Sequence, residues 1–388
     1  MENTEKTEKG VLWWMKVLHL NAGNETGGGM VHILSLLQQF DRREMTLGLF
    51  ERSVMYEEAQ KRGLSTVCFG QTSKYDLSVL KIVADYIDRE QFDIIHTHGA
   101  RANLFGYLLK KWMGCRSQWV TTVHSDPRGD FIGCGWRGSI WTGLHQFALK
   151  FPDHYFAISK RFRDLLISFG IEATRITVVY NGICFEVPFC PPIRRQDIGI
   201  GENDFVLIMV ARLHPVKGHI LALEAVKKLV PTFPQIRLLL IGDGPLLRDL
   251  KKKVRDLELE KHVFFLGHQP YVHSFLAISD VKILSSYSES FPLVLLEAAR
   301  AKLPVISTDV GGVRDLVDSP SLGWVIPVDN VSALSAAVQE AIIRKEEGTL
   351  HEMGERLYEK ASKEFSIARL AADVYRTYEK LECLCSKT

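Results

Sequence analysis

Short apolar runs ending in Gly, His or Asn alternate along the chain with longer segments whose apolar positions recur at helical spacing. That alternation predicts repeated strand–helix units around parallel sheets, and it occurs twice. In the first half it predicts strands over residues 15–20, 45–49, 92–96, 119–124, 154–158 and 177–180, each but the last followed by a helix. In the second half it predicts strands over 205–210, 237–241, 263–266, 281–284, 304–308 and 324–326. Between the halves, residues 188–203 carry Pro188, Pro191 and Pro192 and then a polar stretch without helical period, the composition of a linker. The expected class is α/β, with one doubly wound Rossmann-like domain over 1–188 and a second over 189–365. Such domains bind ligands at the carboxyl ends of their strands, so two of them facing each other would make a central cleft.

Size agrees with two domains, because 388 residues exceed what one ordinary core organises. With 48 basic against 46 acidic residues the net charge is +2, too weak a field to suggest nucleic acid as a partner. Residues 1–10 are polar, and the apolar stretch after them is interrupted by Lys16 and His19, so no signal peptide is expected. No run of about 18 uncharged apolar residues predicts a membrane-spanning helix. The seven cysteines are odd in number and include no Cys-x-x-Cys pair, which supports neither a disulfide framework nor a zinc site. A cytoplasmic location is expected.

The most specific motif is the run from Ser288 to Glu297, Ser-Glu-Ser-Phe-Pro-Leu-Val-Leu-Leu-Glu, which follows a strand and opens a helix. Pro292 suits the first helical position, and a helix start aims free N–H groups at a phosphate. Ser290, Phe291, Pro292 and Glu297 are therefore candidates to bind a phosphate-bearing ligand, with Glu297 placed to accept hydrogen bonds from a ribose diol. Spacing alone also allows Glu289 to be a solvated helix-start acid and Glu297 a surface residue. A glycosidase pair is disfavoured, since eight helical residues advance about 12 Å and such carboxyls stand roughly 5 to 9.5 Å apart.

Upstream, Arg212 and Lys217 leave a strand end on one loop, the charge that a departing diphosphate needs without a metal. The Gly242-Asp243-Gly244 turn lets backbone approach a ligand, although Gly-x-Gly alone is a weak signal. Gly28 and Gly29, in the Gly27-Gly28-Gly29 run ahead of a helix predicted over 30–40, offer the same close approach. His124 ends a strand, where it could hold a sugar hydroxyl or simply pack.

Taken in order, these motifs resemble the retaining glycosyltransferases of family 4, which have the GT-B fold. The likeness extends over nearly the whole chain, including Ala157-Ile158-Ser159, Val179-Tyr180-Asn181-Gly182 and Asp309-Val310-Gly311-Gly312. It implies that Arg212 and Lys217 bind the donor's diphosphate, Glu297 its ribose and Glu289 the hydroxyls of the transferred sugar, with His124 at the sugar or the bond being formed. It implies retention by same-face attack, no cofactor and no metal, and a last helix over 366–388 that packs back on the first domain. After Gly311-Gly312 the family commonly has Pro-Glu, where this chain has Val313-Arg314-Asp315.

The implied substrates are a nucleotide-sugar donor, a uracil nucleotide by family habit, and a glycan or lipid-linked acceptor of cell-surface polysaccharide synthesis. Residues 101–150 carry seven Lys or Arg against two Asp, and 131–151 hold Trp136, Trp141 and Phe147 with no acid. That composition suits contact between residues 110–150 and an anionic membrane at the inner face of the cell membrane. A sugar-nucleotide epimerase, a phosphorylase or a non-catalytic sugar-nucleotide sensor could share the fold.

Overall fold

The computed structural model describes residues 15–23, 25, 27–73, 76–128, 135–186 and 190–385. Among these the chain runs β1 (Val17–Asn21), α1 (Gly28–Leu37), β2 (Met45–Leu49), α2 (Val54–Lys61), β3 (Thr66–Cys68), α3 (Val79–Glu90), β4 (Ile94–His98), α4 (Ala100–Lys111), β5 (Gln118–Val123), α5 (Gly135–Ala148), β6 (His154–Ala157), α6 (Lys160–Ser168) and β7 (Ile176–Val178). It continues through β8 (Phe205–Val210), α7 (His219–Leu229), β9 (Ile236–Ile241), α8 (Leu247–Asp256), β10 (Val263–Gly267), α9 (Val272–Ala277), β11 (Val281–Leu284), α10 (Leu293–Arg300), β12 (Val305–Thr308), α11 (Val313–Leu316), β13 (Gly323–Ile326), α12 (Val331–Glu346), α13 (Leu350–Glu364) and α14 (Ile367–Cys385).

Contacts divide the chain into two compact units. The first takes the chain up to Ile158, Phe162–Val179 and the residues from Ala371 onward; the second takes Ser159–Arg161 and Tyr180–Leu370. The division falls between Val179 and Tyr180, ahead of the proline-rich segment of the sequence.

The first unit's sheet has the order β3-β2-β1-β4-β5-β6-β7 and the second unit's β10-β9-β8-β11-β12-β13, with every pairing parallel. The order reverses between β1 and β4 in one sheet and between β8 and β11 in the other. At such a switch point the two flanking loops diverge to opposite faces and leave a crevice for ligand.

Parallel strands are covered on both faces, so they read as continuous apolar runs. Phe-Val-Leu-Ile-Met-Val of β8 is buried at every residue but the last. Helices supply the covering layers through one face: Val79, Leu80, Val83, Ala84 and Ile87 of α3 are its buried residues. In the second unit Leu207, Met209, Leu238 and Leu240 pack with Leu221, Ala225 and Val226 of α7 and with Leu334 and Val338 of α12. Asn330 starts α12 by accepting the Ala333 N–H at 2.8 Å, which satisfies one of the donors a helix start leaves open.

Three local expectations change. The edge strand β3 has only three residues, all half-buried, and so carries no apolar run to announce it. Helix α1 starts at Gly28, not Met30: Gly27 caps it at φ 71, and Gly28 and Gly29 form its first turn. Pro292 is the N-cap of α10, at φ −78 and ψ 98, and Leu293 takes the first helical position. Glu289 thus lies in the preceding loop, and the helical rise does not set its separation from Glu297.

Candidate active site

In the second unit four loops leave the carboxyl ends of β8, β9, β11 and β12, and glycines let them lie against one another. Gly218 adopts φ +66, and a Cβ there would stand 2.0 Å from the Ser285 carbonyl oxygen. Ser285 answers by donating its hydroxyl toward the Gly218 carbonyl at 3.0 Å, tying the loop of Arg212 and Lys217 to the end of β11. Gly311, at φ +51, fits against the carbonyls of Glu289 and Ser290, where a Cβ would come within 2.1 Å of the latter. The Gly312 N–H donates to the Ser290 carbonyl at 2.9 Å. The Gly-Gly pair of the sequence is therefore the seat of the Glu289–Phe291 loop. Gly242 and Gly244 press against the carbonyls of Ala211 and Leu213 in the same way, so they brace the Arg212 loop.

On this frame Lys217 donates to Glu289 Oε1 at 2.7 Å and Ser286 donates to the same oxygen at 2.6 Å. Both side chains of the ion pair are largely buried. Arg212 is exposed and makes no ion pair among the described residues. Behind the pair, Lys282 of β11 is fully buried and its Nζ has no hydrogen-bond partner. Burial pushes its ammonium down to about 7, while Glu297 and Glu289 act in the opposite sense and Lys217 adds to the fall. Glu297, on α10, is half-buried, and burial raises its carboxyl against the pull of Arg300 and Lys282.

In the first unit the switch point holds a cluster of imidazoles. His19 of β1 and His96 of β4 are direct partners in the sheet register. His19 Nδ1 lies 3.0 Å from His98 Nε2, and His98 Nδ1 lies 3.0 Å from His124 Nε2, just past β5. The His32 ring of α1 meets His124 edge-on at 4.9 Å between centroids. Burial, then neighbouring imidazoles, lowers the proton affinity of His19 to about 3 and of His96 and His98 well below the usual range. The same causes act on His124.

His19, His96 and His98 each bring one nitrogen within 4.8 Å of the others, the only such group among the described residues. All six of their ring nitrogens already meet hydrogen-bond partners in the protein. The trio therefore reads as a neutral polar network.

Residues 192–364 match the family model "Glycosyl transferases group 1", and residues 26–187 match "Glycosyltransferase Family 4". Over 312 residues the chain is 31% identical to the N-acetyl-alpha-D-glucosaminyl L-malate synthase of Bacillus anthracis, an alignment covering 79% of this chain and 80% of that one. The chain is a family 4 glycosyltransferase.

The enzyme is also 28% identical over 285 residues to the Escherichia coli UDP-Gal:alpha-D-GlcNAc-diphosphoundecaprenol alpha-1,3-galactosyltransferase, covering 70% of this chain and 72% of that one. Its fold is GT-B: Anabaena Alr3699/HepE, crystallised with UDP, superposes with a TM-score of 0.81 at 20% identity, over 94% of this chain and all of the other. These named relatives are a synthase and a galactosyltransferase, not an epimerase, a phosphorylase or a sensor.

Of the residues singled out in the sequence of this transferase, Lys217, Glu289 and the Gly311-Gly312 turn meet directly, Arg212 stands on the same loop as Lys217, Ser290 and Phe291 continue the Glu289 loop, Pro292 caps α10 and Glu297 lies on it. His124, Gly28 and Gly29 belong to the first unit. Sequence reading missed Lys282, whose signal was a lone charge inside the apolar run Val-Lys-Ile-Leu. It also missed that His124 meets His98 and His32 and, through His98, joins a network with His19 and Tyr378, which stand far from it in sequence. No helix among the described residues is long and apolar enough to cross a membrane.

Proposed function

We propose that the enzyme moves a sugar from a UDP-sugar to a lipid-linked or glycan acceptor of cell-surface polysaccharide synthesis, with retention of anomeric configuration. The observation that carries the donor half is the convergence of Arg212, the Lys217–Glu289 pair and the opening of α10 on one strand edge. Cations there neutralise the charge that develops on a departing diphosphate, and the N–H groups of a helix start favour phosphate. Glu297 accepts hydrogen bonds from the ribose, Glu289 orients hydroxyls of the transferred sugar, and the backbone of Gly28 and Gly29 comes close to the donor. The acceptor hydroxyl attacks the anomeric carbon from the face that the diphosphate leaves, and a phosphate oxygen takes up the hydroxyl proton. No protein nucleophile, cofactor or metal enters this reaction. A UDP donor is supported by the Escherichia coli relative named for UDP-Gal and by the UDP bound to the Anabaena protein.

The unfolding midpoint should rise with UDP, and more than with GDP or ADP, in the presence of EDTA. Ligand at about 100 times its dissociation constant adds about 2.7 kcal/mol of stability. Glu297→Ala should abolish most of that rise at the same UDP concentration, because the ribose contact is lost. A rise that needs a divalent ion, or one untouched in Glu297→Ala, refutes this account of the donor site.

The lipid-linked acceptor is supported by a second surface. On α5, Ile140, Leu144 and Phe147 are 53%, 40% and 47% exposed at helical spacing, and Trp112, just after α4, is 70% exposed. Phe147 packs edge-on against Tyr107 of α4, 5.3 Å between centroids, so the two helix ends are contiguous. Exposed Lys150 adds positive charge beside them; residues 129–134 of the basic segment lie outside the described residues. Such a face suits the headgroup layer of an anionic cytoplasmic leaflet. The enzyme should sediment with anionic vesicles, and Leu144→Ser with Phe147→Ser should release it into the supernatant. Equal sedimentation of the two proteins counts against membrane docking through α5.

A further inference from the structure

Four imidazoles of the first unit, His96, His19, His98 and His124, belong to one chain of hydrogen bonds with a defined start. Thr122 Oγ1 lies 2.7 Å from His96 Nε2, and His96 Nδ1 meets the hydroxyl of Tyr378 on α14. That hydroxyl lies 3.4 Å from His19 Nε2. His19 Nδ1 then meets His98 Nε2, and His98 Nδ1 meets His124 Nε2, each at 3.0 Å. Thr122, His96, Tyr378, His19 and His98 are all buried to within 2%. With proton affinities lowered by burial and by one another, the rings are neutral at pH 7.

A neutral imidazole has one donor and one acceptor nitrogen. If Tyr378 accepted from both His96 and His19 its own buried proton would lack an acceptor, so with Tyr378 donating to one of them the chain has two directions. In the first, the Thr122 O–H donates to His96 Nε2, His96 Nδ1–H to the Tyr378 oxygen, and the Tyr378 O–H to His19 Nε2. His19 Nδ1–H then donates to His98 Nε2 and His98 Nδ1–H to His124 Nε2, which leaves the His124 proton on Nδ1. Every buried donor has an acceptor. In the reverse direction His96 donates to Thr122, and the Thr122 hydroxyl proton has nowhere to go, because its oxygen makes no other hydrogen bond among the described residues. A buried donor without an acceptor costs its full desolvation, whereas a hydroxyl that donates here costs nothing further.

We propose that Thr122, His96, Tyr378, His19 and His98 are positioning residues that hold His124 in its Nδ1–H tautomer, so that it offers the donor sugar a hydrogen-bond donor and not a base. The clause about the sugar rests on the functional reading above; the tautomer does not. Neutral histidine in water favours the proton on Nε2, so the arrangement selects the less common form.

Two-bond proton–nitrogen correlation spectra of the full chain, labelled with 15N-histidine at pH 7, report the tautomer directly, with the His124 signals identified by their loss in His124→Asn. The unsubstituted enzyme should show a protonated Nδ1 and a bare Nε2 at His124. Thr122→Val, which keeps the side-chain shape, and Tyr378→Phe, which cuts the chain, should each raise the Nε2–H fraction. Losing one oriented hydrogen bond should lower kcat about two- to tenfold in both, with the donor KM little changed. If Tyr378→Phe does not fold, Thr122→Val decides alone. A protonated Nε2 in the unsubstituted enzyme, or a tautomer unmoved by the variants, overturns the proposal whatever transfer does. An Nδ1–H signal that responds to the variants while transfer does not would keep the relay and remove His124 from the sugar.

Discussion

Glu289→Gln should cut sugar transfer by about 10² to 10³ while UDP binds as tightly as before or tighter. The carboxylate holds the Lys217 ammonium at 2.7 Å and takes the Ser286 hydroxyl on the same oxygen. Glutamine keeps the shape and one acceptor but removes the charge, so Lys217 loses the partner that aims it. A donor group fixed in advance at the place where charge develops contributes on that scale when it is removed. At the proposed donor site ground-state binding should respond in the opposite sense, because a negative charge beside the diphosphate would be gone and Lys217 freed to approach it. Titration calorimetry with UDP beside initial rates of transfer separates the two effects. Affinity falling in step with rate would mean that Glu289 serves binding alone.

Lys282→Met should make the protein more stable and the enzyme worse. The side chain is fully buried in β11 without a hydrogen-bond partner, and an apolar residue of similar length avoids the desolvation of an ammonium. Exchanges of buried charge for apolar volume gain about 1 to 4 kcal/mol, or roughly 5 °C in the midpoint of a domain this large. The pH dependence follows from the sign of the shift. The folded group releases its proton near 7 and the unfolded one near its ordinary 10.5, so between these values the unfolded chain binds more protons. Stability of the unsubstituted protein therefore climbs with pH across that window, and the penalty is fully present below it. Denaturant titrations at pH 6 and pH 10 should show a large advantage for Lys282→Met at the lower pH that narrows at the higher. An advantage of equal size at both would mean that the ammonium is not the source of the penalty. The accompanying loss of nucleotide affinity has a separate cause: Lys282 is one of two cations that oppose the rise of the Glu297 carboxyl, and without it that group is harder to ionise.

The predictions differ in how much of their basis was legible in the sequence. β8, β2 and β11 stand where the apolar runs put them, because a strand covered on both faces has no alternation to confuse with a helix. β3 was invisible for the converse reason: its three residues are half-buried at a sheet edge. The motif residues of the second unit were legible because glycines and a proline punctuate them, yet the Lys217–Glu289 contact was not. Those residues are far apart in the chain and are joined only because β8 and β11 are neighbours in the sheet. Pro292 was misplaced by one position, within the ordinary uncertainty of a helix start. The histidine network was legible only as histidines at strand ends, His96, His98 and His124; their connection was not, since its register comes from β1 pairing with β4 and its hydroxyl from a helix near the other end of the chain.

That helix imposes an order on biosynthesis. The first unit draws its residues from the chain up to Val179 and then from Ala371 onward, and Tyr378 fills a place beside His96 and Phe156 with no exposed surface. While the ribosome is still making the second unit, the first lacks the side chain that closes this part of its interior. At about 5 to 20 residues per second that interval lasts roughly 10 to 40 s. Throughout it the nascent first unit has this part of its interior unfilled, and a stop codon that removes Tyr378 would damage the amino-terminal unit more than the one translated just before the break.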